Sequence, residues 1–358
     1  MMKWLQSVKP IHYMLLGVPL AIAGSLLHWN PTLNFVVACI GLIPLAGLIG
    51  EATEALAVVT GPKIGGLLNA TLGNAAELII TIVAIRAGLL DLVKASITGS
   101  IIGNLLLVLG AALLAGGLKN GRQRFSREHA ATNSTMLVLA VVALSVPSLL
   151  NHTLEGELLP AATLEAISLG VALVMIVLYA LGLFYSLRVS DSPLTHGTAE
   201  SEAPHWSLRQ ASLVLAGATA AVVWLSEILV HSVEAVTAAF GLSEFFLGII
   251  LIPIIGNVAE HLVAVTVAVK NQMDLSLEIA LGSSLQIALF VAPVLVFASL
   301  AFGQQLNLVF NQFEIIALIA AVLTAALVSS DGETNWLEGA ELLGVYLILG
   351  LAFFFLPA

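Results

Sequence analysis

An all-α polytopic membrane protein is the fold this sequence predicts: about 11 transmembrane helices, arranged as two inverted five-helix repeats after one extra N-terminal helix. Three observations predict it. The chain of 358 residues is 59% hydrophobic and only 9% charged, whereas a soluble domain carries about 25% charged residues. Apolar runs long enough to cross a bilayer, about 20 residues each, recur along it. The chain also resembles itself at a shift of 183 residues.

Composition limits the function classes. A mean hydropathy of +1.05 requires lipid around the folded chain. A net charge of -10 offers none of the basic patches that nucleic acid needs, so no nucleic-acid partner is expected. Cys39 is the single cysteine, which excludes a disulfide framework and a thiolate metal cluster and reads as packing.

Breaks rich in Gly, Pro and charge divide the chain into spans at roughly 11–29, 33–60, 64–88, 91–117, 131–150, 161–187, 208–240, 243–269, 274–302, 313–330 and 338–356. The first run ends without a small-residue cleavage site and reads as a retained helix. Few strands are expected, because an open sheet edge cannot satisfy its backbone in lipid. With the N-terminus inside, Lys3, Lys9, Lys63, Lys119, Arg122, Arg124, Arg127, Arg188, Arg209 and Lys270 fall on the inner side, against Arg86 and Lys94 outside. This positive-inside bias places the N-terminus in the cytoplasm and, for an odd helix count, the C-terminus opposite. Residues 189–206 form a polar linker carrying Asp191, Glu200 and Glu202. The expected organisation is an N-terminal helix over 1–32, a first repeat over 33–188 (helices two to six), the cytoplasmic linker over 189–206 and a second repeat over 207–358 (helices seven to eleven).

The self-similarity centres on two polar motifs. Gly73-Asn74-Ala75-Ala76-Glu77 falls on Gly256-Asn257-Val258-Ala259-Glu260, and eight of the 28 aligned positions from Gly73 to Ser100 are identical. Six of these are not aliphatic, so shared greasiness does not explain them. Five helices per copy is an odd number, so the second copy enters the membrane upside down, a plan that recurs in secondary transporters with the ion site at the midplane.

Glu77 and Glu260 each lie deep in a span, where a charge costs about 2.5–3.5 kcal/mol even on the lenient insertion scale. No Lys or Arg sits at that depth, so a proton or a metal cation must neutralise them. Asn74 and Asn257 precede the glutamates by three residues, which puts amide and carboxylate on one helical face. Gly73 and Gly256 permit a close approach or a local break that frees carbonyls, and Pro253 strengthens the break expected in the second copy. Carboxylates, amides and carbonyls are hard oxygen ligands of the kind Ca2+ takes six to eight at a time. Ser100 and Asn104 in one copy, and Ser283, Ser284 and Gln286 in the other, complete the shell or act as polar glue between helices. Glu51 and Glu54 in helix two, with Glu227 and Glu234 in helix seven, read as an acidic vestibule or proton path on opposite sides. His261 and His231 read as packing histidines with satisfied nitrogens.

The run from Gly61 through Pro62-Lys63-Ile64-Gly65-Gly66 to Glu77 closely resembles the first signature of the CAX-type Ca2+/H+ antiporters, within the cation/Ca2+ exchanger superfamily. Pro253-Ile254-Ile255-Gly256-Asn257-Val258-Ala259-Glu260-His261 resembles the second. The resemblance covers nearly the whole chain. It implies that Glu77 and Glu260 carry cation or protons, with Asn74 and Asn257 beside them and Gln286, Ser100 and Ser283 contributing. It also implies Ca2+, or another divalent cation, and H+ as transported substrates, exchanged by alternating access. No cofactor is expected; the bilayer is the surrounding partner, a homo-oligomer is compatible with such a chain, and a prokaryotic cell membrane is the expected location. The linker departs from the family, where it is often strongly acidic. A Na+/Ca2+ exchanger of the same architecture is the first rival, but Ala75, Ala76, Val258 and Ala259 supply few extra oxygens for Na+. A passive channel would need a filter loop, and none is found. A metalloprotease would need a His-Glu-x-x-His motif, which Glu260-His261 does not form.

Overall fold

The computed structural model describes residues 10–153, 160–188 and 206–356. The expectations for Lys3, Lys9 and nearly all of the 189–206 linker lie outside the described residues. After a 3-10 segment over Pro10–Leu16 come α1 (Gly17–Leu26), α2 (Pro31–Thr60) and α3, in two parts (Pro62–Leu72 and Ala75–Arg86). Then follow α4 (Leu90–Asn120), α5 (Arg127–Thr153) and α6 (Ala161–Arg188). The second half holds α7 (Leu208–His231), α8 (Glu244–Val269), α9 (Met273–Ala301), α10 (Gln312–Val328) and α11 (Trp336–Phe355). A short helix, Val233–Phe240, follows α7. Eight of these helices are individually long and apolar enough to cross a membrane, and the bent pair in α3 makes a ninth. The shorter apolar helices α1 and α10 bring the count to the eleven expected.

Two spans differ from their expected outlines. The run 208–240 is not one helix, because it stops at His231 and restarts at Val233. Ser232 turns its hydroxyl back onto Ile228 O at that stop. The span 64–88 is broken between Leu72 and Ala75, with a bend of 41°.

The hydrogen bonds between loops fix which connections share an end. Two short strands pair antiparallel, β1 (Gln123–Arg124) between α4 and α5 and β2 (Glu333–Thr334) between α10 and α11. Gln123 Nε2 donates to Ala268 O and Asn271 Oδ1 in the α8–α9 turn, and the Ser126 N–H donates to Asp274. All three connections therefore gather at one end, which also carries the basic side chains Arg122, Arg124, Arg127 and Lys270 and is called the basic end below. At the far end Lys94 Nζ donates to Val309 O, and Ser148 and Ser168 satisfy the α9–α10 loop at Leu308 and Phe310. This is the alternation that successive membrane crossings require.

The shift of 183 residues is visible in the backbone. The turn from α3 to α4 uses Gly88 at φ 80°, and the turn from α8 to α9 uses Asn271 at φ 63°. These are equivalent positions and both need the left-handed region, which Gly and Asn tolerate best. A π-helical segment interrupts α4 at Gly103–Val108 and α9 at Ile287–Val291, again at matching places. Such wide turns, rare overall, collect at functional sites.

Candidate functional site

α3 breaks at the first motif. Asn74 leaves helical geometry (φ -100°, ψ 34°) and begins the second part of α3, whose first turn carries Glu77. The α8 motif behaves differently. Gly256 and Asn257 lie inside a continuous helix from Ile252 to Val269, preceded by a π segment at Leu247–Leu251. The expectation of a break strengthened by Pro253 is thus corrected. Pro253 lies well inside α8, directly after the π segment at Leu247–Leu251, and the helix passes its missing N–H with that wide turn rather than with a break. Nor are Asn74 and Glu77 on one continuous helical face, because the break lies at Asn74 itself.

The break also decides what happens to its freed carbonyl. Ala70 O accepts from Tyr179 Oη at 2.6 Å and from Gln286 Nε2 at 2.8 Å. Gln286 therefore staples the break, with its Oε1 turned toward Gly73. Ser283 Oγ receives Asn104 Nδ2 at 2.9 Å and donates to Asn74 Oδ1 at 2.9 Å. This chain links α4, α9 and α3 at the centre of the bundle. Asn257 Nδ2 donates within its own helix to Pro253 O.

The two glutamates, 183 positions apart, come together here. Glu77 is 4% exposed, and a Cβ built on Gly256 would lie 2.6 Å from its Oε1. Gly256 is one helical turn before Glu260, so the Glu77 carboxyl lies against the helix that carries Glu260, close enough for the two charges to interact. Glu77 Oε1, Glu260 Oε2, Ser100 Oγ and Asn74 Nδ2 are all buried without a hydrogen-bond partner. An orphaned buried polar group costs about 1–3 kcal/mol, so several together mark a place built for something else to bind. His261 Nε2 is likewise buried and unpaired, which corrects the reading of a satisfied histidine. His231 does find a partner, at Glu227 O.

The outlying acids lie on α2, α7 and the short helix after α7. Glu51 and Glu54 are half-buried in the part of α2 that runs toward the basic end. Glu227 pairs with Arg86 at 2.9 Å at the far end, and Glu234 is exposed on the short helix beyond it. Sequence reasoning did not single out two further acids. Glu278 on α9 accepts from Asn133 Nδ2, and Glu314 caps the start of α10 and accepts from Thr98. A charge inside an apolar run was the signal that could have found both.

The two ends of the bundle are unequally packed around the site. Toward the far end, a Cβ on Gly99 would collide with Ile249 O, and one on Gly248 would come within 2.8 Å of Ala95 Cβ and 2.9 Å of Leu92 O. α4 and α8 are locked together there. The equivalent glycines toward the basic end are Gly282 and Gly65. A Cβ on Gly282 would meet only its own helix neighbour Glu278, at 3.4 Å, while one on Gly65 would lie 2.8 Å from Ala57 Cβ and Ala57 O, so the nearest neighbour of Gly65 is α2 rather than α9.

The profile of the family described as "Sodium/calcium exchanger protein" matches residues 31–188 and 211–355, both halves of the fold and both glutamates. The chain belongs to this family. Within the sodium/calcium exchanger family, the chain is 46% identical over 359 residues to the "Ca(2+)/H(+) antiporter" of Aphanothece halophytica, covering 96% of each protein. It is 45% identical to the "Ca(2+)/H(+) antiporter ChaA" of Bacillus subtilis, over 95% of this chain and 97% of that one. The solved structure of native YfkE superposes with a TM-score of 0.85 at 42% identity, covering 97% of this chain and 100% of that one.

Proposed function

We propose that this chain is a secondary transporter that exchanges Ca2+ for H+ across a membrane by alternating access. The observation that carries the reading is the meeting of the buried Glu77 and the half-buried Glu260, each with a buried, unpartnered carboxylate oxygen, where no Lys or Arg pairs with them. Such a pair holds either a divalent cation or protons. Glu77 and Glu260 are the shared ligands, and Ser100 adds a neutral oxygen. Asn74, Ser283, Asn104 and Gln286 hold the break and the adjoining helices in register. Relatives named Ca2+/H+ antiporter support the choice of substrates.

The basic end is assigned to the cytoplasm from the lysine and arginine bias, and a bacterial cell membrane is the proposed location. The two halves, 33–188 and 207–358, act as the inverted repeats. Gly99 and Gly248 close α4 onto α8 at the far end, whereas at the basic end Gly282 meets no neighbouring helix and Gly65 packs on α2, which supports access from the basic end in this structure.

The test is cation uptake into proteoliposomes under an imposed pH gradient, with Ca2+, Mn2+, Mg2+ and Na+ offered in turn. Ca2+ uptake that collapses with the pH gradient supports the proposal. Uptake driven by Na+ and indifferent to pH would favour Na+/Ca2+ exchange instead.

A further inference from the structure

Glu278 stands where the repeat would place Ala95. At the far end Ala95 is the residue on which Gly248 packs, and Gly99 packs on Ile249 one turn further along. The partners related by the 183-residue shift are Gly65 to Gly248, Gly66 to Ile249, Glu278 to Ala95 and Gly282 to Gly99. If the halves exchange roles, closing the basic end brings Gly65 and Gly66 of α3 onto Glu278 and Gly282 of α9. The small Ala95 accepts such a contact at no electrostatic cost. A carboxylate in the same place does not.

In the present structure Glu278 is half-buried, and the α9 face at Gly282 beside it meets no other helix. Its Oε2 accepts from Asn133 Nδ2 at 3.2 Å, and His129, also on α5, is near enough for its charge to act on it. Asp274, one turn earlier on α9, is occupied by the Ser126 N–H. His129 is the titratable group that reaches Glu278 from a neighbouring helix among the described residues. The carboxyl therefore sits toward the basic end, beside an imidazole and an amide, and is not one of the central ligands.

We infer that Glu278 is a proton-dependent latch for the basic end, whose carboxyl must be protonated before α3 can close over α9. This inference rests on the alternating access proposed above and adds to it a proton site present in one repeat only. The proton that permits closure binds from the basic side and leaves to the same side on reopening. It therefore makes turnover sensitive to pH on that side without adding to the protons exchanged. Closing a helix contact over a half-buried carboxylate held by one amide strips its remaining water and is unfavourable, and protonation removes the charge.

The latch is tested by the distance between spin labels at Ile64 and Asp274, measured by double electron–electron resonance in a C39A background. The central acids are silenced by E77Q and E260Q, so that their own titration does not move the equilibrium. In that variant the closed fraction is expected to rise as pH falls, with a limiting slope of about tenfold per pH unit for one proton. Adding E278A, which restores the residue of the other repeat, should leave the closed fraction independent of pH, and E278Q should do the same if charge alone matters. A pH response that persists with E278A would overturn the latch and point to His129 as its source. So would a closed fraction that never responds to pH before Glu278 is changed. Failure of the Ca2+/H+ reading would show separately, as an unmodified chain that closes with acid yet moves no Ca2+ in proteoliposomes.

Discussion

Replacing Gly256 by alanine separates binding from folding at this site. The added methyl would lie 2.6 Å from Glu77 Oε1, so the carboxylate must retreat by about 0.8 Å to reach ordinary van der Waals contact. The atom that gives way is the end of a flexible side chain, so the cost to stability is expected to be small, under about 1 kcal/mol. The cost to the proposed cation site is larger, because Glu77 is one of the two anionic ligands proposed for it. Misplacing a reacting group by about 1 Å can cost on the order of a hundredfold, and a similar displacement of a ligand is expected to weaken Ca2+ binding by roughly ten- to a hundredfold, or about 1.4–2.8 kcal/mol. Calorimetric titration of purified protein with Ca2+, beside thermal unfolding in detergent, measures both quantities. Gly50→Ala serves as the control, since no atom lies within 4 Å of a Cβ there. Unchanged Ca2+ affinity in Gly256→Ala, with Gly50→Ala equally silent, would refute the placement of Glu77 in the cation site.

Glu77→Gln and Glu260→Gln should each abolish pH-driven Ca2+ flux while leaving a folded protein, because an amide removes the burial cost of the charge; flux in proteoliposomes beside size-exclusion profiles checks this. On the proposed reading, protons and Ca2+ compete for the same two carboxyls, and only the deprotonated form binds the metal. Apparent Ca2+ affinity should therefore fall as pH drops on the loading side, and an affinity constant from about pH 5.5 to 8, around where buried acids titrate, would contradict shared-site exchange. With two protons exchanged per Ca2+, no net charge moves. Flux at a fixed pH gradient should then ignore a K+ diffusion potential, whereas each uncompensated charge would feel about 2.3 kcal/mol per 100 mV.

Much of this fold is written in composition and spacing. Lipid-length apolar runs announce the helices, and the shift that superimposes Glu77 on Glu260 also superimposes the left-handed turns at Gly88 and Asn271. The break was harder to place. Proline marks a missing donor, and Pro253 drew attention to the second motif. Yet Pro253 is absorbed by a π segment without breaking α8, while the break at Asn74 is held by Tyr179 and Gln286 on distant helices. Nothing local to residues 70–74 encodes those partners. The Asn104–Ser283–Asn74 chain is equally non-local, since it joins residues 179 and 209 positions apart. Glu278 has no twin, since Ala95 stands at its equivalent position, so the symmetry that pairs Glu77 with Glu260 does not point to it.

The pairing of β1 with β2 has a consequence for how such a chain can be divided. Together with the contacts of Asn104 and Asn74 to Ser283, it ties the two halves by non-covalent bonds that do not run through the linker. Neither half can satisfy its own polar centre, because the partners of Asn74 and the neighbour of Glu77 come from the other copy. Two polypeptides severed between Arg188 and Ser207 would each carry half of a recognition code legible only to its complement. A single half, expressed alone, would present those unsatisfied groups to lipid and to the cell's quality control.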